Sequence, residues 1–565
     1  MKPSKLVGTP EGLKDIWLVW GGGRSQQCVP HGAWHSRHLL ALLVVLGSVL
    51  LWHGSLHAAE QPDRGGTIVW AVHEGMPDFD IHYQGSYIVA QPIGPLYNGL
   101  LTFDVYNNGE IVGDLAEGWE IAPDGKQITF ALRKGVTFHD GSAFTCADAK
   151  YSLEKCTDPK RANPGLVSMM EKVFDSATCR DDYTLVMRLK EPSAAVLTLL
   201  ADAHTVMMKA GIAEQVDRKD PKFLIGTGPF KFKSYTPGVN FRAERNPNYW
   251  KPGVPHLDGY EAVVMDDLTK IFASFRARQL TMTGIARHLE QPEADILKKD
   301  FPDAVVALGP RAGWDTFVMH VSKAPFNDPR VRKAVALATD REKMIEIAAE
   351  GWGVLGGYMG PHTPYGLPLE ELKKYPQFGD DLAKRQAEAK RLLAEAGYAK
   401  GLDVELVLRR GPLYERGALS RQDDLKKVGM NVKITLLDTA GFVDRQKKGD
   451  FQAFTVLEAV SFDDPDAYYM RFTCDAPSNY GKYCNSEFDK LFAQQSRAFD
   501  VQQRAAITRQ MERLLLQDIP SDRGFYWKSA MAYWNWVKQW PPIQGTTVFN
   551  FGKFEQVWCK DGKCM

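Results

Sequence analysis

The chain has no apolar run long enough to cross a bilayer as a helix. Its one long run, Leu39 to Trp52, is fourteen residues, where about 20 are needed. Arg37 and His38 before the run, and Ala58 and Ala59 after it, make it read as a signal peptide cleaved near residue 59, with an uncleaved N-terminal anchor as the alternative. No Cys follows it closely, which argues against a lipoprotein anchor. Charge excess is also missing. Lys and Arg total 69 and Asp and Glu total 69, which excludes the broad basic field of a nucleic-acid binder. Catalytic motifs are absent too: there is no G-x-S-x-G elbow and no P-loop. His73-Glu74 opens a zincin pattern, but Pro77 stands where the second histidine belongs. Ser152-Leu153-Glu154-Lys155 matches S-x-x-K, yet neither S-D-N nor K-T-G occurs. The carboxylate pairs Asp266-Asp267 and Asp463-Asp464 read as solvated loop residues. No C-x-x-C occurs, so zinc spacing is lacking. No catalytic residue, no metal and no organic cofactor is expected.

What the chain has is length. At 565 residues and 44% hydrophobic it exceeds what one core serves, so two or three domains are expected. Of eight cysteines, Cys28 precedes the expected cleavage point, and the other seven suit an oxidising compartment with one thiol left unpaired. Cys474 and Cys484 bracket a polar, turn-rich loop. Cys559 and Cys564 bracket Lys560-Asp561-Gly562-Lys563, whose Asp-Gly is a turn signal. Both pairs are expected to be disulfides, and the pairing of Cys146, Cys156 and Cys179 stays open.

β-Branched and aromatic stretches predict strands at Gly66 to Val72, Ile128 to Leu132, Tyr183 to Leu189, Phe230 to Tyr235, Tyr260 to Met265, Trp314 to Val321, Val404 to Leu408, Val432 to Leu437 and Phe451 to Ala459. Helices are predicted at Ala147 to Lys155, at Val331 to Ala349 behind Asp328-Pro329, and at Asp381 to Ala396 ahead of Gly397. Such alternation implies α/β lobes with mixed sheets.

Successive segments carry a family resemblance: Gly65-Gly66-Thr67-Ile68-Val69, the block Leu115 to Glu154, Gly226-Thr227-Gly228-Pro229-Phe230, Arg245-Asn246-Pro247-Asn248-Tyr249-Trp250, Ala324 to Arg332, and Ala387 to Gly397. In order, and over nearly the whole chain beyond residue 59, these resemble the family 5 extracellular solute-binding proteins of ABC importers, the dipeptide- and oligopeptide-binding family. The resemblance implies an α/β, two-lobed periplasmic binding protein of class II type in its large three-part form, with mixed sheets and an inserted subdomain. Lobe I would comprise 60–100, 225–310 and 525–565, with 101–224 inserted, and lobe II would be 311–524; 1–59 would be the N-terminal extension and signal peptide. Chain crossings near Pro310 and Arg523 would be hinges. A monomer is implied that passes a small-molecule or peptide ligand to an ABC permease in the inner membrane, without nucleic acid. A periplasmic ligand sensor and a hydrolase grown on the same scaffold are the alternatives.

Peptide binders of the family often carry an aspartate three residues before an Asp-Pro dipeptide, where it pairs with the peptide's α-ammonium. Here Ser461 stands there, ahead of Phe462, Asp463, Asp464 and Pro465, and Glu458 stands where a cleft tryptophan is common. The anion is therefore expected at Glu458 or Asp463, beside Ser461 at the cleft wall, unless the ligand lacks an amine. Arg409 and Arg410, with Arg416 as a third choice, are the candidates for a ligand carboxylate. Tyr83, Tyr87 and Trp314 are the candidates for cleft aromatics. His320, in place of the family's usual asparagine, is expected as a core residue.

Overall fold

Two strands set the architecture. Ala304–Met319 and Ser521–Trp534 run to 16 and 14 residues, beyond the usual ~3–10, so each can serve two sheets in turn. They pair antiparallel from Ala304↔Trp534 to Val318↔Ser521, but the register slips between Pro310 and Trp314 and again before Thr316. Pro310 has no N–H to give to a ladder. A different sheet and a different core lie on either side of this break. The computed structural model describes residues 60–565 except 86, 108, 285–288, 461–462 and 543–550; the signal peptide expected within 1–59 lies outside the described residues.

In lobe I, Thr67–Val72 pairs parallel with Gly259–Val264, and the sheet continues antiparallel through Asn240–Arg245 to Phe230–Thr236. Bridges from Met282 to Trp70 and to Tyr533 join it to the crossing strands. Trp70, Phe230, Phe241 and Tyr260 lie in its core. The Gly226-Thr227-Gly228 motif is explained by closeness. A Cβ on Gly226 would stand 1.9 Å from the Leu96 carbonyl oxygen, and one on Gly228 would stand 2.4 Å from the Leu96 carbonyl carbon. The insert has its own sheet, Ala116–Ile121, Gln127–Leu132, Thr184–Leu189 and Phe174–Asp181 in spatial order, and its own core around Ile128, Phe130, Leu153 and Leu185.

Lobe II holds six strands in the order Gly353–Val354, Ser521–Trp534, Ala304–Met319, Ala453–Ala459, Leu402–Arg409 and Met430–Leu437. The last three are mutually parallel, as the helical crossovers Pro412–Lys427 and Thr439–Lys448 require. The helix expected over Val331 to Ala349 is two helices, Pro329–Ala338 and Arg341–Ala348. Asp340 caps the second by accepting from the Lys343 N–H. The strand expected from Trp314 begins at Ala304, and Ser521–Trp534 has no counterpart among the expected strands.

Cys474–Cys484 and Cys559–Cys564 are bonded as expected, with Cα atoms 4.5 and 5.2 Å apart, and Cys146 pairs with Cys179 at 5.8 Å. Cys156 is the free thiol among the described residues; burial pushes it up to about 12. A second buried group organises the lobe II loops. Glu512, on the helix Val501–Asp518, accepts the Met359 N–H at 3.2 Å and the Leu367 N–H at 2.7 Å, pinning the segment between them.

The Cys474–Cys484 disulfide and the buried Glu512 each give an expectation that can be measured. Replacing Cys474 and Cys484 together by Ser should lower the unfolding free energy by roughly 2 to 3 kcal/mol, the loop-closure entropy of so short a span, read as a shift in urea midpoint. Burial raises the Glu512 carboxyl from 4.5 to about 7, the backbone donors opposing. The folded state is then the stronger proton binder, so this group's stabilisation is full below pH 4.5 and lost as pH rises through about 7. Between about pH 5 and 8 the parent's urea midpoint should therefore fall more steeply than that of Glu512→Gln, which cannot titrate. Parallel slopes would show that Glu512 does not titrate in this window.

Candidate functional site

Loops leaving the carboxyl ends of parallel strands gather at one edge of an α/β sheet, and ligands bind there. Lobe II brings three such ends together, Arg409, Leu437 and Ala459. Ala459 pairs with Gly313, which sets this edge level with the break in the crossing strands and next to lobe I.

The first end carries Arg409 and Arg410. The Arg409 guanidinium lies over the Tyr414 ring at 4.7 Å and its Nε is buried without an acceptor, while Arg410 is exposed. Neither forms an ion pair among the described residues. Gly411, with φ of 139°, turns the chain into the helix Pro412–Lys427, where Glu415 accepts the Gly411 N–H at 2.8 Å. Arg416 lies further along that helix and pairs with Glu350.

The third end carries Glu458 and Asp463, and both carboxylates are engaged within the chain. Glu458 Oε2 accepts from Trp314 Nε1 at 2.9 Å and from Arg523 Nη1 at 3.3 Å, and forms an ion pair with Arg471 Nη1 at 2.8 Å. With 19% of its side chain exposed, Glu458 is partly accessible. Two guanidiniums nevertheless hold it already, where a carboxylate free for a ligand amine was expected. Asp463 is more enclosed, and its Oδ1 accepts from His362 Nε2 at 3.0 Å and from the Tyr468 hydroxyl at 2.9 Å. Ser461 lies outside the described residues.

The expected aromatics are placed differently from one another. Trp314 has no exposed surface, because Tyr468 stacks on it at 5.0 Å and the Arg523 guanidinium covers it at 4.4 Å. It is a wall of the lobe II core where a cleft lining was expected. Tyr83 is half-buried beneath Arg218, whose guanidinium sits 3.8 Å from the ring. Tyr87 opens the helix Tyr87–Ile93, and its side chain lies outside the described residues. His320 is buried against Phe451.

Arg471 and Arg523 escaped the sequence reading. They sit in no motif, and only the turn Met470–Phe472 and the second crossing strand bring them onto Trp314. The S-x-x-K look-alike is scaffold: Ser152 Oγ lies 2.8 Å from the Asp148 carbonyl oxygen and accepts the Met208 N–H, and Lys155 binds both oxygens of Asp80 at 2.8 Å. The insert touches lobe II directly, with the Thr198 hydroxyl donating to Asp464 at 2.9 Å and the Ala194 N–H to the Ser496 carbonyl at 2.7 Å.

The chain and its fold have known counterparts. Residues 110–480 match the family described as bacterial extracellular solute-binding proteins, family 5 middle. The chain is 27% identical over 464 residues to the periplasmic oligopeptide-binding protein OppA of Escherichia coli K12, covering 78% of this chain and 83% of that one. It is 28% identical over 468 residues to di/tripeptide-binding protein 1 of Pseudomonas aeruginosa UCBPP-PA14, covering 75% and 82%. The unliganded open form of the periplasmic murein tripeptide-binding protein MppA superposes with a TM-score of 0.78 at 20% identity, covering 88% of this chain and 99% of that one. With two lobes on two crossing strands, and a family match over most of its length, the chain belongs to the bacterial extracellular solute-binding proteins of family 5.

Proposed function

We propose that this protein is the periplasmic receptor of an ABC importer, closing its lobes on a peptide or peptide-like solute and presenting the loaded form to an inner-membrane permease. The observation that carries this reading is the interrupted ladder of the crossing strands between two separate cores, a joint about which lobes can turn. On this reading 60–100, 225–310 and 525–565 move as lobe I with 101–224 inserted, 311–524 moves as lobe II, and the hinges lie near Pro310 and Arg523. The ligand's negative end is met by Arg409 and Arg410, since a guanidinium matches a carboxylate in charge and fork geometry. The names of the relatives support a peptide-like solute, and a peptide ends in a carboxylate. The family is one of binding proteins, and the solute leaves this one chemically unchanged.

The test is to purify the protein from periplasmic extract, denature it and identify what is released by mass spectrometry. An intact acid is expected, and a cleavage product would overturn the receptor reading. With that acid in hand, Arg409→Gln and Arg410→Gln combined should weaken binding by about 1.5 to 3 kcal/mol for each charged hydrogen bond lost, roughly tenfold or more in Kd. Equal affinity in parent and double variant would remove both arginines from the site.

A further inference from the structure

The charge balance beside Trp314 does not close. On this face of the lobe II sheet two guanidiniums, Arg471 and Arg523, meet one carboxylate, Glu458, and both crowd a single oxygen, Oε2, which also accepts the Trp314 indole N–H. Guanidinium stays charged in any protein environment, so the cluster holds one positive charge in excess. Burial makes that excess costly. Only 3% of the Arg523 side chain is exposed, packed between the rings of Trp314 at 4.4 Å, Tyr358 at 5.3 Å and Phe472 at 5.9 Å. Of the other carboxylates close by, Glu512 has its oxygens occupied by the amides of Met359 and Leu367, and Asp463, beyond the Tyr468 ring that stacks on Trp314, is engaged by Tyr468 and His362.

Hydrogen bonding points the same way. Among the described residues, Arg471 Nε, Arg523 Nε and Nη2, and the Ser521 hydroxyl are all buried without a partner. Arg471 and Ser521 both line one cavity of about 30 Å³ that lies under the Cys474–Cys484 loop; Glu458, Phe472, Asn479 and Tyr483 also line it. Asn479 is spent on the Thr473 and Tyr483 backbones and the Tyr483 hydroxyl on Asp518. A space of this size holds one or two water-sized particles and so admits a monatomic ion.

We propose that this cavity is a halide site: a chloride ion held by the Arg471 Nε–H and the Ser521 hydroxyl, and attracted by the uncompensated charge of Arg471 and Arg523. Glu458 is its electrostatic competitor. Because Arg523 and Ser521 lie on a crossing strand and Arg471 on the turn behind Trp314, the ion ties these elements together and stabilises lobe II. It sits under the disulfide loop, apart from Arg409 and Arg410, and does not depend on the transport reading.

Thermal unfolding of the full exported protein tests this when sodium chloride replaces sodium gluconate at constant ionic strength. The midpoint should rise with chloride in the manner of a bound ligand, and crystals grown in bromide should show an anomalous peak between Arg471 and Ser521. Arg471→Gln should lose both the rise and the peak. Glu458→Gln, which removes the competing charge, should keep both and reach half-effect at a chloride concentration lower by ~10-fold or more. If Arg471→Gln does not fold, Ser521→Ala with a weakened chloride dependence serves in its place. No bromide peak in the cavity, a chloride response equal in parent and Arg471→Gln, or a weaker response in Glu458→Gln would each overturn the site.

Discussion

A long antiparallel pair is stiff wherever its ladder is complete, and the molecule depends on one place where it is not. Beyond Pro310, which has no N–H to give, two slips of register on either side of Trp314 interrupt the ladder of the crossing strands for a few residues. The first sheet reaches the crossing strands through the bridge from Met282 to Tyr533, while Ala453–Ala459 pairs with Gly313–Met319 and Gly353–Val354 with Tyr526 and Trp527. The candidate site lies at that seam because the parallel strands of lobe II end there. Position along two strands thus sets both the interruption of the ladder and the place where the parallel strands of lobe II end.

The two faces of the lobe II sheet treat buried charge differently. On the helix-covered face, Arg421 donates to Asp315 at 2.8 Å and approaches Asp522 at 3.6 Å, and Asp522 also pairs with Arg341. Two cations and two anions balance there, and Thr339 adds a hydrogen bond to Asp522 at 2.9 Å. Such networks contribute little net stability over an apolar core but fix one arrangement, since breaking one leaves a charge stranded. They hold the crossing strands in register just beyond the interrupted stretch of ladder. On the opposite face, around Trp314, the count is two to one.

Much of the fold was legible because its signals are local. Asp328-Pro329 and Asp381 announce helix starts whatever the rest of the chain does, and Gly397, at φ of 93°, ends the second helix as a residue without a Cβ can. The parallel strands Leu402–Arg409 and Met430–Leu437 stood out as apolar, β-branched runs. The second crossing strand did not. Asp522, Arg523 and Lys528 interrupt its pattern, and only pairing with Ala304–Met319 makes it a strand. The site was half legible for the same reason. Arg409 and Arg410 follow a recognisable strand, whereas the partners of Glu458 and Asp463, namely Arg471, Arg523, His362 and Tyr468, come from separate stretches of chain that tertiary packing alone unites. A free carboxylate could be supposed from sequence because nothing in it shows which cations will arrive.

The first and last segments of the described chain lie side by side. The Asp561 N–H donates to Asp63 at 2.8 Å, and a Cβ on Gly66 would fall 2.6 Å from Cys564 Sγ. On the proposed reading, in which the lobes turn about the crossing strands, lobe II carries neither segment. A biosensor built by joining these segments through a short linker and reopening the chain elsewhere, or a molecule anchored to a surface by its C-terminal tail, would keep lobe II unburdened, so that a reporter placed there records its excursion alone.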